Sequence, residues 1–132
     1  VDNLPPKTNA ETRKTNYVGA PAYFVLDQAC SQIWQAFDGF GCYIVGSSLE
    51  RPDWRDVDIR FIMSDEEFAT LFPHAGQHWE QDERWLLLTI SISQWISKTT
   101  GLPVDFQFQP QTHANERHKG KRHAIGFRVT HG

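Results

Sequence analysis

At 132 residues the chain has the size of one domain. Its charged and hydrophobic fractions, 22% and 39%, are those of a folded protein, and five Trp and nine Phe supply bulky material for a single core. A net charge of −3 excludes a polycation that holds nucleic acid by its overall charge, and no apolar run approaches the ~18 residues that mark a membrane span.

Residues 1–16 are polar, with Pro5-Pro6 and scattered charge, so residues 1–20 are expected to form a flexible arm ahead of a single domain over residues 21–132. From Ala22 to Phe37 the apolar positions Leu26, Cys30, Ile33 and Phe37 recur at helical spacing, and Asp38-Gly39 ends the pattern. Phe40–Val45 is nearly all apolar and reads as a buried central strand. Ser47–Arg55, with Pro52, reads as a loop, and Asp56–Met63 as a second strand. Ser64 and Glu67 have the spacing of a capping box, which predicts a short helix over Asp65–Leu71, stopped by Pro73.

His74–Gln81 reads as a polar connection, and Asp82–Lys98 as the longest helix, closed by Thr99-Thr100-Gly101. Trp85, Leu88, Ile92, Trp95 and Ile96 form its stripe, and Leu86, Leu87 and Ile90 widen it enough to predict burial on more than one side. Trp34, Trp85 and Trp95 are expected in the core, while Trp54 and Trp79, in connections, could stack on a base. Val104-Asp105-Phe106-Gln107-Phe108 alternates, which predicts a third strand with Asp105, Gln107 and Gln109 on one face. Gln111–Lys121 has almost no apolar content and reads as a loop; 124–129 reads as a short last strand. Sheet and helices together predict an α+β fold, a small mixed sheet with helices packed on one face. Cys30 and Cys42 read as two buried thiols. With no signal-peptide pattern, a cytoplasmic location is the expectation.

The densest chemistry lies between Gly46 and Asp58. Asp56 and Asp58 stand at i and i+2, so both carboxylates leave one face of a strand while Val57, Ile59, Phe61 and Met63 take the other. Carboxylates brought together repel unless a cation sits between them, and Mg²⁺ binds through one or two carboxylates and leaves positions for phosphates. Ahead of them, Gly46 permits close approach of backbone to a phosphate, and Ser47 or Ser48 can donate to it.

Gly46-Ser47, a short loop, and Asp56-Val57-Asp58-Ile59 together resemble the signature of the polymerase-beta-like nucleotidyltransferase superfamily, with Asp105 standing where that superfamily has a third strand carboxylate. The resemblance runs roughly from Leu26 to Gln109 and implies a nucleotidyltransferase fold with the acidic residues on the open face of the sheet. It further implies an Mg²⁺-dependent enzyme that moves an NMP from an NTP, ATP among the candidates, to an acceptor hydroxyl on RNA, a partner protein or a small molecule. Asp56, Asp58 and Asp105 would be the catalytic residues and hold two Mg²⁺ ions, Mn²⁺ being the alternative, with Gly46, Ser47 and Ser48 on the nucleotide.

Arg60, on the strand face of Asp58, either pairs with a carboxylate or reaches a phosphate, and Arg117, Lys119, Lys121 and Arg122 could add phosphate contacts or lie in a solvated basic loop. So short a chain would be a minimal catalytic core that takes its missing domain from a dimer mate or partner chain, with no membrane association. Two other readings compete: a nucleotidyltransferase-fold binding protein without turnover, and a sugar-nucleotide transferase built on Asp-x-Asp.

Overall fold

The computed structural model describes residues 16–128. Helix α1 spans Ala22–Ala36, and strand β1, Gly41–Val45, is followed by a 3-10 turn at Ser47–Leu49. Strand β2 covers Val57–Met63 and helix α2 Asp65–Leu71; a second 3-10 turn, Trp79–Gln81, leads into helix α3, Glu83–Thr100. Strand β3, Val104–Pro110, helix α4, Gln111–Arg117, and strand β4, His123–Ile125, complete the described residues.

The fold is α+β. The four strands form one mixed sheet in the order β3-β2-β1-β4. β1 pairs antiparallel with both β2 and β4, whereas β2 and β3 run parallel, with Asp58 beside Asp105 and Arg60 beside Gln107. The parallel pair requires a long crossover, which α2 and α3 provide.

Alternation sorts the two faces. Ile44, Ile59, Phe61, Phe106 and Phe108 point into the core, each fully buried, where Leu26, Cys30 and Ile33 of α1 meet Phe68 of α2 and Trp85 and Ile96 of α3. The centre is aromatic: Phe108 packs edge-on against Phe37, Phe61, Phe72 and Phe106 at centroid distances of 4.9–5.6 Å. The other face carries Tyr43, Val45, Asp58, Arg60, Asp105, Gln107 and Gln109.

β3 is an edge strand, and an edge strand exposes unpaired backbone groups. Here α3 satisfies them. Ser93 Oγ accepts from Phe106 N (2.9 Å) and donates to Phe106 O (3.2 Å), Val104 N donates to Ser97 Oγ (3.0 Å), and Trp85 Nε1 donates to Phe108 O (2.9 Å). Serines at i and i+4 of one helix thus replace a fifth strand.

The local signals act as their chemistry dictates. Ser64 and Glu67 form the reciprocal capping box, each bond 3.0 Å. Asp82 caps α3 by accepting from Trp85 N, and Gly101, at φ 76°, closes it in the left-handed conformation. Cys30 and Cys42 are buried free thiols, and burial pushes the Cys42 thiol well up.

Several expectations are corrected. The stretch expected as a loop from Gln111 to Lys121 begins with helix α4. Only Ala114 of α4 is fully buried, so the helix carries no apolar stripe to read. It is fixed from outside instead: Asp65 accepts from Thr112 N (3.0 Å) and Thr112 Oγ1 (2.5 Å), and His113 stands edge-on to Trp79 at 5.0 Å. Trp79 is itself core, 8% exposed, and is not available to a base. On α3, Leu87 and Ile90 are 67% and 52% exposed, and Leu86 and Trp95 also face outward, because the helix is covered on one side only. β2 begins at Val57, leaving Asp56 exposed just ahead of it. The last strand is His123–Ile125; Gly126 follows at positive φ, and Val129 lies outside the described residues. The proposed arm falls mostly on residues 1–15, outside the described residues. Its described end is packed: Val18 is buried, Tyr17 N donates to Ser48 O (2.7 Å), and Trp54 Nε1 donates to Tyr17 O (3.0 Å).

Candidate functional site

The polar face of the sheet becomes a site because β1 ends in an unusual turn. Gly46 has φ 84° and ψ −158°, a region essentially restricted to glycine. A side chain at this position would also collide with Asp58 Oδ2, so the glycine keeps its backbone and the carboxylate together. The chain then turns through Ser47–Leu49, with Glu50 N and Arg51 N both donating to Ser47 O. Ser47 is partly exposed, while Ser48 is fully buried and its Oγ has no hydrogen-bond partner among the described residues.

Three carboxylates lie along one end of β2 and β3. Asp56 is exposed, Asp58 half-buried, and Asp105 sits beside Asp58 in the parallel ladder. Burial pushes the Asp58 carboxyl above the ordinary Asp range; Arg60 opposes the rise, and Asp105 and Asp56 add to it by like-charge repulsion. A cation placed here would relieve that repulsion.

Arg60 already relieves part of it. The residue is 8% exposed, and its Nη1 donates to Asp105 O (2.8 Å) and Ile59 O (3.1 Å). Its Nη2 reaches Asp105 Oδ2 at 3.3 Å, an ion pair whose arginine side is buried. The Arg60 Nε is buried with no acceptor among the described residues. Of the two roles expected for Arg60, the ion pair is the one present. Arg51, also flanking the acidic pair, contacts Asp53 at 3.4 Å on the exposed loop, where such a pair contributes little.

Between the sheet and α4 lies a cavity of about 360 Å³. Gly46, Asp58 and Arg60 line its floor and His113, Arg117 and His118 its roof. Of the basic residues singled out in the sequence, Arg60 and Arg117 reach this cavity. Arg122 stands 5.5 Å over the Tyr43 ring and donates to Asn115, and Lys119 and Lys121 are exposed in the following loop. Glu80, His113 and His118 also line the cavity, and no motif in the sequence marks them for it. Gln107 and Gln109, which also line the cavity, were visible by strand alternation with Asp105. Gln109 is 3% exposed and meets His118 Nε2 at 3.2 Å.

Asp56, Asp58 and Asp105 offer the hard oxygen donors that Mg²⁺ prefers, but Asp105 is partly engaged by Arg60. Among the described residues no three His, Cys, Asp or Glu side chains stand together as a ready-made metal cage. Mg²⁺ does not need one, since one or two carboxylates plus water and phosphate suffice. Asp58, on which Gly46 packs closely, and Asp56, two residues before it, are the carboxylates such a mode would use.

No family model matches the chain, and searches of curated proteins and of solved structures find no match either. Among the described residues no helix is long and apolar enough to cross a membrane.

Proposed function

We propose that the chain belongs to the polymerase-beta-like nucleotidyltransferase superfamily and moves an NMP from an NTP to an acceptor hydroxyl of RNA, protein or a small molecule, releasing pyrophosphate. One observation carries the reading: the glycine-only turn at Gly46 is packed against Asp58, on the sheet face where Asp58 and Asp105 are neighbours and Asp56 stands two residues away. That joins a close-approach backbone to clustered carboxylates, the two parts phosphoryl chemistry requires.

Asp56 and Asp58 would hold the divalent ion, and Asp105 would complete a second position if Arg60 released its carboxylate. Mg²⁺ bound there would supply charge stabilisation to the attacking and leaving oxygens. Gly46 would let the backbone approach the phosphates, and the hydroxyl of the partly exposed Ser47 would donate to them. Arg60 holds Asp105 in register with Asp58. The acceptor's proton would pass to a carboxylate oxygen of Asp105, whose side chain is 46% exposed.

A second reading, a binding protein of the same fold without turnover, draws on the Arg60 grip on Asp105. The two separate by label transfer. With α-labelled NTPs, Mg²⁺ and total cellular RNA and protein, the wild-type chain is expected to label one class of acceptor, and Asp56→Asn to lose the label. Absence of label from all four NTPs, with NTP binding retained, would favour the binding protein.

A further inference from the structure

Helix α3 packs on β3 and α1 through one side, where Trp85 and Ile96 are buried. Its opposite side is apolar and uncovered. Of the seven large hydrophobic residues exposed among the described residues, Leu86, Leu87, Ile90 and Trp95 stand on this one helix. Single exposed apolar residues are ordinary, but a cluster of them on one helix face is a patch of the kind that marks an interaction surface. Leu87, Ile90 and Gln94 follow each other at spacings of three and four, so they form one line along the exposed side.

The charge on this side says what covers it. Reversing the helix about the point between Ile90 and Ser91 exchanges Leu87 with Gln94 and Leu86 with Trp95, all of them exposed. The same reversal exchanges Glu83, in the first turn, with Lys98, in the last. Both are exposed, and neither pairs with a charge among the described residues. A second copy of α3 laid antiparallel against the first therefore brings Glu83 of each copy level with Lys98 of the other, at both ends. It also sets the two helix dipoles head to tail. Ser91 at the midpoint is small enough for the axes to approach within the usual 8–10 Å or so. A parallel pair would instead set Glu83 against Glu83 and Lys98 against Lys98. A lipid surface asks for Lys and Arg around the apolar face. Here Glu83 stands at one end, and Arg84 beside it turns back to Leu71 O at 3.4 Å.

We propose that α3 is the surface through which two copies of this chain associate, helix against antiparallel helix, about a two-fold axis at Ile90 and Ser91. The same patch on both copies makes the contact, as a closed pair requires. One helix pair buries less than the ~1,600 Å² of a standard interface, so the pair is expected to dissociate with a constant on the order of 10 μM. Its core is Leu87 and Ile90 of both copies, with Leu86 and Trp95 at the margins. α3 lies on the core face of the sheet and the carboxylates on the other, so association leaves the candidate site of each copy open. The inference stands without the nucleotidyltransferase reading.

The test is sedimentation equilibrium of the full chain over roughly 1–300 μM, a range that brackets that constant. The wild type should pass from monomer to dimer. Ile90→Arg is expected to weaken association about a hundredfold, since it buries an unpaired charge at the two-fold axis. Ile90 is exposed in the single chain, so the far-UV spectrum and Tm of this variant should match the wild type. Glu83→Lys and Lys98→Glu, each alone, should weaken association about tenfold, because each sets like charges together at both ends of the pair. An equimolar mixture of the two variants restores opposite charges at both ends and should recover the wild-type affinity. A chain that stays monomeric throughout would overturn the proposal, as would a dimer that tolerates Ile90→Arg. A dimer indifferent to Glu83→Lys, or a mixture no tighter than either variant alone, would refute the antiparallel pairing. A monomer that binds anionic lipid vesicles, and loses them with Ile90→Arg, would make the face a membrane surface and also overturn the proposal.

Discussion

Asp58→Asn is expected to reduce nucleotidyl transfer by about a thousandfold and, in metal-free buffer, to raise Tm at neutral pH. The first effect follows from removing a charge aimed at the reacting phosphates. The second follows from its environment. The Asp58 carboxyl is pushed up by burial and by two neighbouring carboxylates, more than Arg60 holds it down. A carboxyl whose pKa is higher folded than unfolded binds its proton more tightly in the folded state. Its contribution to stability is therefore present at low pH and lost as the pH rises through the folded pKa. At neutral pH the ionised Asp58 costs stability, and asparagine does not ionise. The Tm gap between variant and wild type should open as pH rises from below the ordinary Asp range to neutrality. A variant less stable than wild type at pH 7, or one with unchanged transfer, would show that Asp58 serves the fold rather than a ligand.

Phe108→Ala is expected to cost about 3–5 kcal/mol, the usual loss for a buried aromatic. Phe108 is fully buried and touches four other phenylalanine rings, so the cavity left by its ring has few ways to collapse. Its carbonyl also accepts from Trp85 Nε1, which ties the core to the protected edge of β3. Domains have only about 5–15 kcal/mol in total, so chemical denaturation should show a variant close to its folding limit. A loss below ~1 kcal/mol would mean that the aromatic centre repacks freely.

The parts of this molecule that obey a local period were legible in the sequence. Alternation along β2 set Asp58 apart from the apolar side of its strand, and alternation at Val104–Phe108 did the same for Asp105 and Gln107; the parallel register then brings the two carboxylates side by side, and the Ser64/Glu67 spacing marked the start of α2. Helix α4 was hidden because its order comes from Asp65, far away in sequence, and not from an apolar stripe of its own. Period also misled. Leu87 and Ile90 suggested wrap-around burial of α3, yet the helix is covered on one side, and that side interrupts its apolar stripe with Ser93 and Ser97, which bond the edge of β3. The site's floor, set by strand pleat, could be read; its roof, set by tertiary contacts from Glu80 to His118, could not.

The most direct measurement is a calorimetric titration with each of the four non-hydrolysable NTPs, with and without Mg²⁺, on the wild-type chain and on Asp56→Asn/Asp58→Asn. The account predicts binding of at least one NTP that depends on Mg²⁺ and disappears in the double variant. Binding that is indifferent to Mg²⁺ and survives loss of both carboxylates, or no binding of any NTP, would contradict it.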